Sequence, residues 1–165
     1  MRLVGSLSLK LFSPECDPPW QLVAGGCYFM IVNKLTWLEA ADMCEVKGGH
    51  LVEIETQQEQ NALVTGFTEF LEGKSFSSMR VWIGLVEEDT GSEFVWDISG
   101  THARWQFTSW RSEEESTNNE NNCVAIPVSI NLDGDNNGNW VEKDCNEEFK
   151  ALCEKGMFLL FFNFK

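Results

Sequence analysis

Six cysteines are spread between residues 16 and 153 of this 165-residue chain. An even number of cysteines is typical of a disulfide framework that forms in an oxidising compartment. Six cysteines can pair in many ways, so counting leaves the connectivity open. No two have the Cys-x2-Cys spacing of a structural zinc site. The only histidines are His50 and His102, which makes a histidine-based metal centre improbable. We therefore predict a secreted or extracellular domain held together by disulfides.

The charge of the chain excludes several classes of partner. The length suits one domain of ordinary size, and the formal net charge is −14. A surface this acidic repels nucleic-acid backbones and anionic lipids. It suits cations, basic partners or simple solubility. We expect no nucleic-acid ligand.

Both ends of the chain differ from its middle. Residues 1–15 resemble the start of a secretory signal, although Lys10 interrupts the apolar run. Residues 156–165 form an apolar tail that is too short for a membrane span of about 20 residues. We therefore expect a weak leader, one domain at 16–155 and a tail, with no transmembrane span.

The first half predicts two helices between short strands. Cys16 to Cys27 reads as a small hairpin, and 27–32 as a strand. Thr36 and Thr56 are good N-caps, and each is followed three residues later by a glutamate, Glu39 or Glu59. The first helix should end at 48–49 and the second at 73, where glycines occur. Residues 51–54 read as a strand between the two helices.

The second half predicts strands and long loops. A buried strand is expected at 81–85, and residues 94–96 and 105–107 alternate with the period of a strand. Residues 112–122 read as a polar loop, 123–130 with 139–141 as a hairpin, and 150–154 as the last strand. Early helices followed by an antiparallel, loop-rich half indicate the α+β class.

These landmarks together resemble the C-type lectin-like domain. The resemblance runs in order over about 140 residues and implies a fold of two helices, small antiparallel sheets, a long loop region and three disulfides. It implies the pairs Cys16–Cys27, Cys44–Cys153 and Cys123–Cys145. It also predicts that the core holds Trp37, Trp82, Trp96 and Trp140. The matching elements are Cys27-Tyr28-Phe29, Trp37-x-Glu39-Ala40, Cys44, Gly48-Gly49-His50-Leu51-Val52, Trp82-Ile83-Gly84-Leu85, Phe94-x-Trp96-Asp97, Trp110, Cys123-Val124, Trp140, Cys145 and Ala151-Leu152-Cys153-Glu154.

Sugar-binding members of that family hold Ca²⁺ and sugar with one set of carboxylates and amides. The resemblance places this ligand set on Glu115, Thr117, Glu120, Asn121 and Glu142, with Glu115, Asn121 and Glu142 as the metal ligands. Two changes weaken it, because Ser116 replaces the proline of the family's Glu-Pro-Asn triplet and Val141 has no side-chain oxygen. Calcium requires six to eight oxygen ligands, so we expect weak calcium binding or none.

Two other places could supply calcium ligands. The resemblance puts an auxiliary site at Glu87, but Gly91 stands where another carboxylate is expected. Residues 133–139 carry Asp133, Asp135 and Asn137 at alternate positions, with Asp144 where an EF-hand-like loop would place its last ligand. A hairpin tip rich in turn-forming residues explains the same letters.

The chain carries no Gly-x-Ser-x-Gly motif, no phosphate loop and no nucleophile with a plausible histidine partner, so we do not expect an enzyme. The favoured function is recognition of a glycan or glycoprotein. The alternative is calcium-independent binding of a protein or a mineral surface through the same loops.

Overall fold

The computed structural model describes residues 16–88, 93–105, 107–111, 122–131 and 137–156. The predicted leader at 1–15 and nearly all of the predicted tail lie outside this part of the chain. The described residues form two helices and eight strands. The predicted α+β class is confirmed.

Both helices begin where the sequence predicts. Helix α1 spans Trp37–Val46, and Thr36 forms a full capping box with Glu39. Helix α2 spans Gln57–Leu71, and the Thr56 side chain accepts a hydrogen bond from the backbone N–H of Glu59. These contacts satisfy N–H groups that have no partner inside a helix.

The eight strands join one sheet. The main order is β1-β2-β8-β4-β6-β7, while β3 pairs with β8 and β5 with β4. Instead of several small antiparallel sheets there is one mixed sheet, because β4 and β8 run parallel. The strands are β1 Gln21–Val23, β2 Gly26–Leu35, β3 His50–Leu51, β4 Ser78–Glu87, β5 Phe94–Trp96, β6 Asn122–Ser129, β7 Val141–Asp144 and β8 Phe149–Lys155.

One strand prediction was wrong. Residues 103–105 form a 3₁₀ helix where 105–107 was read as a strand. A window of three residues is too short for alternation to separate a strand from a turn of helix, because two large apolar residues two apart fit both.

All three disulfides implied by the resemblance are present. Cys16–Cys27 closes the first hairpin, Cys44–Cys153 ties α1 to β8, and Cys123–Cys145 ties β6 to the turn after β7. The described residues contain no free cysteine. Cys44, Cys123 and Cys153 are fully buried.

Tryptophans fill the core and use their polar atoms there. Trp82, Trp96 and Trp140 have no exposed surface, and Trp37 is 7% exposed. The Trp37 indole N–H donates to the Ile83 carbonyl at 2.8 Å, and that of Trp82 donates to Leu35 at 2.9 Å. The hydrogen bonds of Trp37 and Trp82 offset the cost of burying their N–H groups and link α1 and the end of β2 to β4. The buried Trp96 Nε1 has no hydrogen-bond partner among the described residues. The predicted core tryptophans are confirmed.

Candidate ligand-binding site

Of the five residues predicted to bind sugar or calcium at the family's main site, only Glu142 falls within the described structure. It lies on β7, an end strand of the main sheet order, opposite Val124 of β6. Side chains alternate between the two faces of a strand. Val141 is 1% exposed and packs in the core, while Glu142 points to the other face and is partly exposed.

A shallow cavity of about 340 Å³ opens beside Glu142. Phe94 and Trp110 form its aromatic wall, with their rings 5.0 Å apart. Trp110 packs edge-on against the buried Trp140 at 5.6 Å, so this wall rests directly on the core. The residues around the cavity are Glu93, Phe94, Ala103, Arg104, Trp110 and Glu142.

Ion pairs fix the polar rim of this cavity. Glu93 pairs with Arg104 through one carboxylate oxygen and with His102 Nδ1 through the other, at 2.8 Å. The β4–β5 turn brings Glu88 close, because its N–H donates to the Glu93 carbonyl at 2.8 Å. Ligand atoms of Glu88, Glu93 and His102 lie within 4.8 Å of one another. Sequence reasoning missed this cluster. The structure reveals it through the pairing of Glu87 with Phe94 across β4 and β5, which places 88 opposite 93.

The described residues do not make up the family's calcium site. Glu142 offers a carboxylate, but Val141 offers no oxygen and its side chain is buried. The other predicted ligands, Glu115, Thr117, Glu120 and Asn121, lie outside the described residues. Calcium requires six to eight oxygen ligands, of which the described part of this site supplies the Glu142 carboxylate.

Glu87, the predicted ligand of the auxiliary calcium site, forms a hydrogen bond within the protein. Glu87 accepts a hydrogen bond from the Asn122 side-chain amide at 2.8 Å, and Asn122 is 3% exposed. This contact joins β4 to the start of β6 next to the Cys123 disulfide. Gly91 lies outside the described residues.

Asn137 and Asp144, two residues of the EF-hand-like pattern, form hydrogen bonds that stabilise turns. The Asn137 side chain bonds both the N–H and the carbonyl of Ser129, at 2.9 and 3.0 Å. Asp144 accepts from the backbone N–H of Asn146 at 2.9 Å. Both roles agree with the turn interpretation. Asp133 and Asp135 lie outside the described residues.

The Glu154 carboxylate lies between β8 and the chain that leads into α2. The Glu154 carboxylate accepts from the Glu53 N–H at 3.0 Å and lies 3.6 Å from His50 Nδ1. Burial, together with the nearby charges of Glu59, Glu53 and Glu55, raises the pKa of Glu154 to about 8, although the hydrogen bond from the Glu53 N–H opposes this shift. His50 is partly buried, and its Nδ1 lies 2.9 Å from the Leu51 carbonyl. These contacts give His50 a structural role.

No helix in the described part of the chain is long and apolar enough to cross a bilayer.

Comparison with known proteins shows which family this chain resembles. A family model described as the lectin C-type domain matches residues 33–155. The chain is 28% identical over 147 residues to asialoglycoprotein receptor 2 of Mus musculus, a match that covers 86% of this chain but only 42% of the receptor. It is also similar to the carbohydrate-recognition domain of the mouse scavenger receptor C-type lectin, at 25% identity and a TM-score of 0.64, covering 85% and 95% of the two chains.

A calcium-independent type II antifreeze protein shares the fold at 20% identity, with a TM-score of 0.66 and coverage of 88% of this chain and 98% of that one. Members of the matched family are generally non-enzymatic binding modules, in agreement with the prediction that the chain is not an enzyme. The family model covers about three quarters of the sequence, and this range includes the Cys44–Cys153 and Cys123–Cys145 disulfides. The chain belongs to the C-type lectin domain family.

Proposed function

We propose that this domain is an extracellular module that binds carbohydrate in the cavity beside Glu142, with weak or no dependence on calcium. The observation that carries the proposal is the meeting of two carboxylates, a guanidinium and an aromatic wall in one cavity. Sugar hydroxyls donate to carboxylates and accept from guanidinium groups. The apolar face of a sugar ring packs well on an aromatic ring.

The arrangement of the cavity supports binding without a resident ion. Arg104 and His102 hold Glu93 in place, and Trp140 supports Trp110 from below. Side chains that are fixed before binding lose little conformational entropy when a ligand arrives. Glu115, Thr117, Glu120 and Asn121 remain predicted ligands that would extend this site.

Replacement of Glu142 tests the proposal. On a glycan array, Glu142→Gln should weaken binding of the sugars retained by the native domain by about tenfold, because a charged acceptor becomes a neutral amide. Glu147→Gln is the matched control, since Glu147 is exposed on the turn after β7. Unchanged binding by Glu142→Gln would refute the assignment.

The same array run with calcium and with a chelator measures the role of the ion. We expect binding to change little, because Val141 replaces an oxygen ligand. Loss of all binding in chelator would mean that an altered calcium site operates, and calorimetry with calcium alone would then show its heat.

The alternative is calcium-independent recognition of a protein or a mineral surface. The net charge of −14 favours it, because an acidic surface adsorbs to calcium salts and basic partners. An array on which no glycan is retained, together with salt-sensitive adsorption to a calcium mineral, would favour this second function.

A further inference from the structure

A second cavity, larger than the one beside Glu142, carries the opposite charge to the molecule. It is a groove of about 790 Å³, and none of the described residues that line it is acidic. The whole chain has 26 acidic but only 12 basic residues. Five of those twelve line this groove: Lys34, Arg80, Arg111, Lys143 and Lys150.

The sheet brings these cations together from distant parts of the sequence. Lys34 lies near the end of β2, Arg80 in β4, Lys143 in β7 and Lys150 in β8. Arg111 lies in a loop, and its own backbone N–H donates to the Trp140 carbonyl at 3.1 Å. Lys143 lies two residues after Val141, so the side chains of these two residues point to the same face of β7. The Glu142 side chain points to the opposite face. The groove and the Glu142 cavity therefore lie on different faces of this strand.

Aromatic rings and a backbone carbonyl hold several of the cations in place. The Arg80 guanidinium lies 5.4 Å from the centre of the Phe149 ring, which packs against Trp82 at 4.6 Å. Lys150 donates to the Val32 carbonyl at 2.6 Å and lies 5.2 Å from the Phe76 ring. Cation–π contacts of this kind restrict a charge without neutralising it.

Three of the groove's cations have no acidic partner in the described part of the chain. Among the described residues, no carboxylate forms an ion pair with Lys34, Arg80 or Lys143. Burial lowers the pKa of Lys150, and the like charges of Lys34 and Lys74 lower it further. Cations crowded in this way are stabilised by a bound anion.

From this arrangement we propose that the groove binds a short sulfated oligosaccharide, as a second site independent of the Glu142 cavity. Sulfate groups are fully ionised acceptors that suit arginine and lysine donors. Phe76, which is 38% exposed, offers a face for a sugar ring between the charges. The volume lies within the usual range for small-ligand sites. A long nucleic acid is disfavoured, because beyond the groove it would pass over a strongly acidic surface.

The test is calorimetry of the whole chain with a sulfated hexasaccharide and with the same hexasaccharide after desulfation. We expect the sulfated sugar alone to bind, with an affinity that falls as salt rises. The double substitution Arg80→Gln, Lys143→Gln should weaken binding by at least tenfold, since it removes two charged donors. Lys47→Gln is the matched control, because Lys47 is exposed on the C-cap of α1 and does not line the groove.

Three results would overturn the proposal. The first is equal binding of the desulfated sugar. The second is undiminished binding by the double variant, with its fold verified by circular dichroism. The third is equal or tighter binding of an acidic peptide or of inorganic sulfate alone, which would assign the groove to a different ligand. Glu142→Gln should leave this binding unchanged, so failure of the Glu142 site and failure of the groove are separately visible.

Discussion

Glu154 shows how one buried carboxyl group links structure to pH. Its side chain is 18% exposed, and it accepts the Glu53 N–H while other glutamates surround it. Tyr28 donates its hydroxyl to Glu59 at 2.6 Å nearby, and burial followed by this hydrogen bond raises the pKa of Tyr28 well above its usual range. Acidic side chains packed this closely favour the protonated form of the most buried one.

The raised pKa of Glu154 predicts that the protein loses stability as pH rises. The folded state keeps a proton up to about pH 8, whereas the unfolded state releases it near the ordinary value of 4.5. The free energy of unfolding should therefore fall between these values, by at most about 1.4 kcal/mol per pH unit. Glu154→Gln keeps the acceptor for Glu53 and should flatten this fall.

Urea unfolding of the native domain and of Glu154→Gln at several pH values between 5 and 8 measures this effect. Glu147→Gln, an exposed change, should keep the native slope. Parallel curves for the native domain and Glu154→Gln would show that ionisation of this group does not oppose folding.

At the scale of elements, Gln60 connects α2 to the loop before β7. Its side-chain amide donates to the Gly138 carbonyl at 2.6 Å, and its carbonyl accepts the Trp140 indole N–H at 3.0 Å. Gln60 is only 3% exposed. A single polar side chain thus satisfies two buried groups that no strand or helix pairs.

Gln60→Leu should destabilise the domain by about 2–4 kcal/mol, because it leaves both the Trp140 N–H and the Gly138 carbonyl buried without partners. Gln58→Leu makes the same chemical change at an exposed position of α2 and should cost little. Chemical unfolding of both variants gives the comparison, and equal losses would contradict the role assigned to Gln60.

Local rules predicted the elements better than the site. The starts of α1 and α2 followed from Thr36 and Thr56, because capping depends on residues only three apart. The requirement for glycine at position 84 comes from a long-range contact, because a Cβ atom there would meet the Leu51 carbonyl at 2.9 Å. The contacts among Glu93, His102 and Arg104 depend on the bridge between Val95 and His102. The meeting of the five cations in the groove depends on strand order. No local pattern in the sequence reveals that order.

For the whole molecule, the disulfides differ in how much chain they restrain. Cys44–Cys153 spans 109 residues, whereas Cys16–Cys27 spans 11. Positive charge is concentrated in the groove of this otherwise acidic protein. The aromatic cavity beside Glu142 lies on another face of β7.

Removing the long-range disulfide should cost more than removing the short one. In the chain-entropy model, loss of a bond that closes about 100 residues costs about 4–5 kcal/mol, and loss of one that closes about a dozen costs about 3. The double variant Cys44→Ala, Cys153→Ala should therefore unfold at lower denaturant than Cys16→Ala, Cys27→Ala. Equal midpoints would contradict the entropic account.

The bond between Cys44 and Cys153 also decides how the domain responds to a mechanical pull. Tension applied through residues 27 and 155 would travel along the chain from 27 to 44, cross the disulfide and leave through the last residues of β8. The disulfide would keep the chain between Cys44 and Cys153 from being extended, because it offers a shorter covalent path. Apart from Lys34, all the described residues that line the two cavities lie within that stretch.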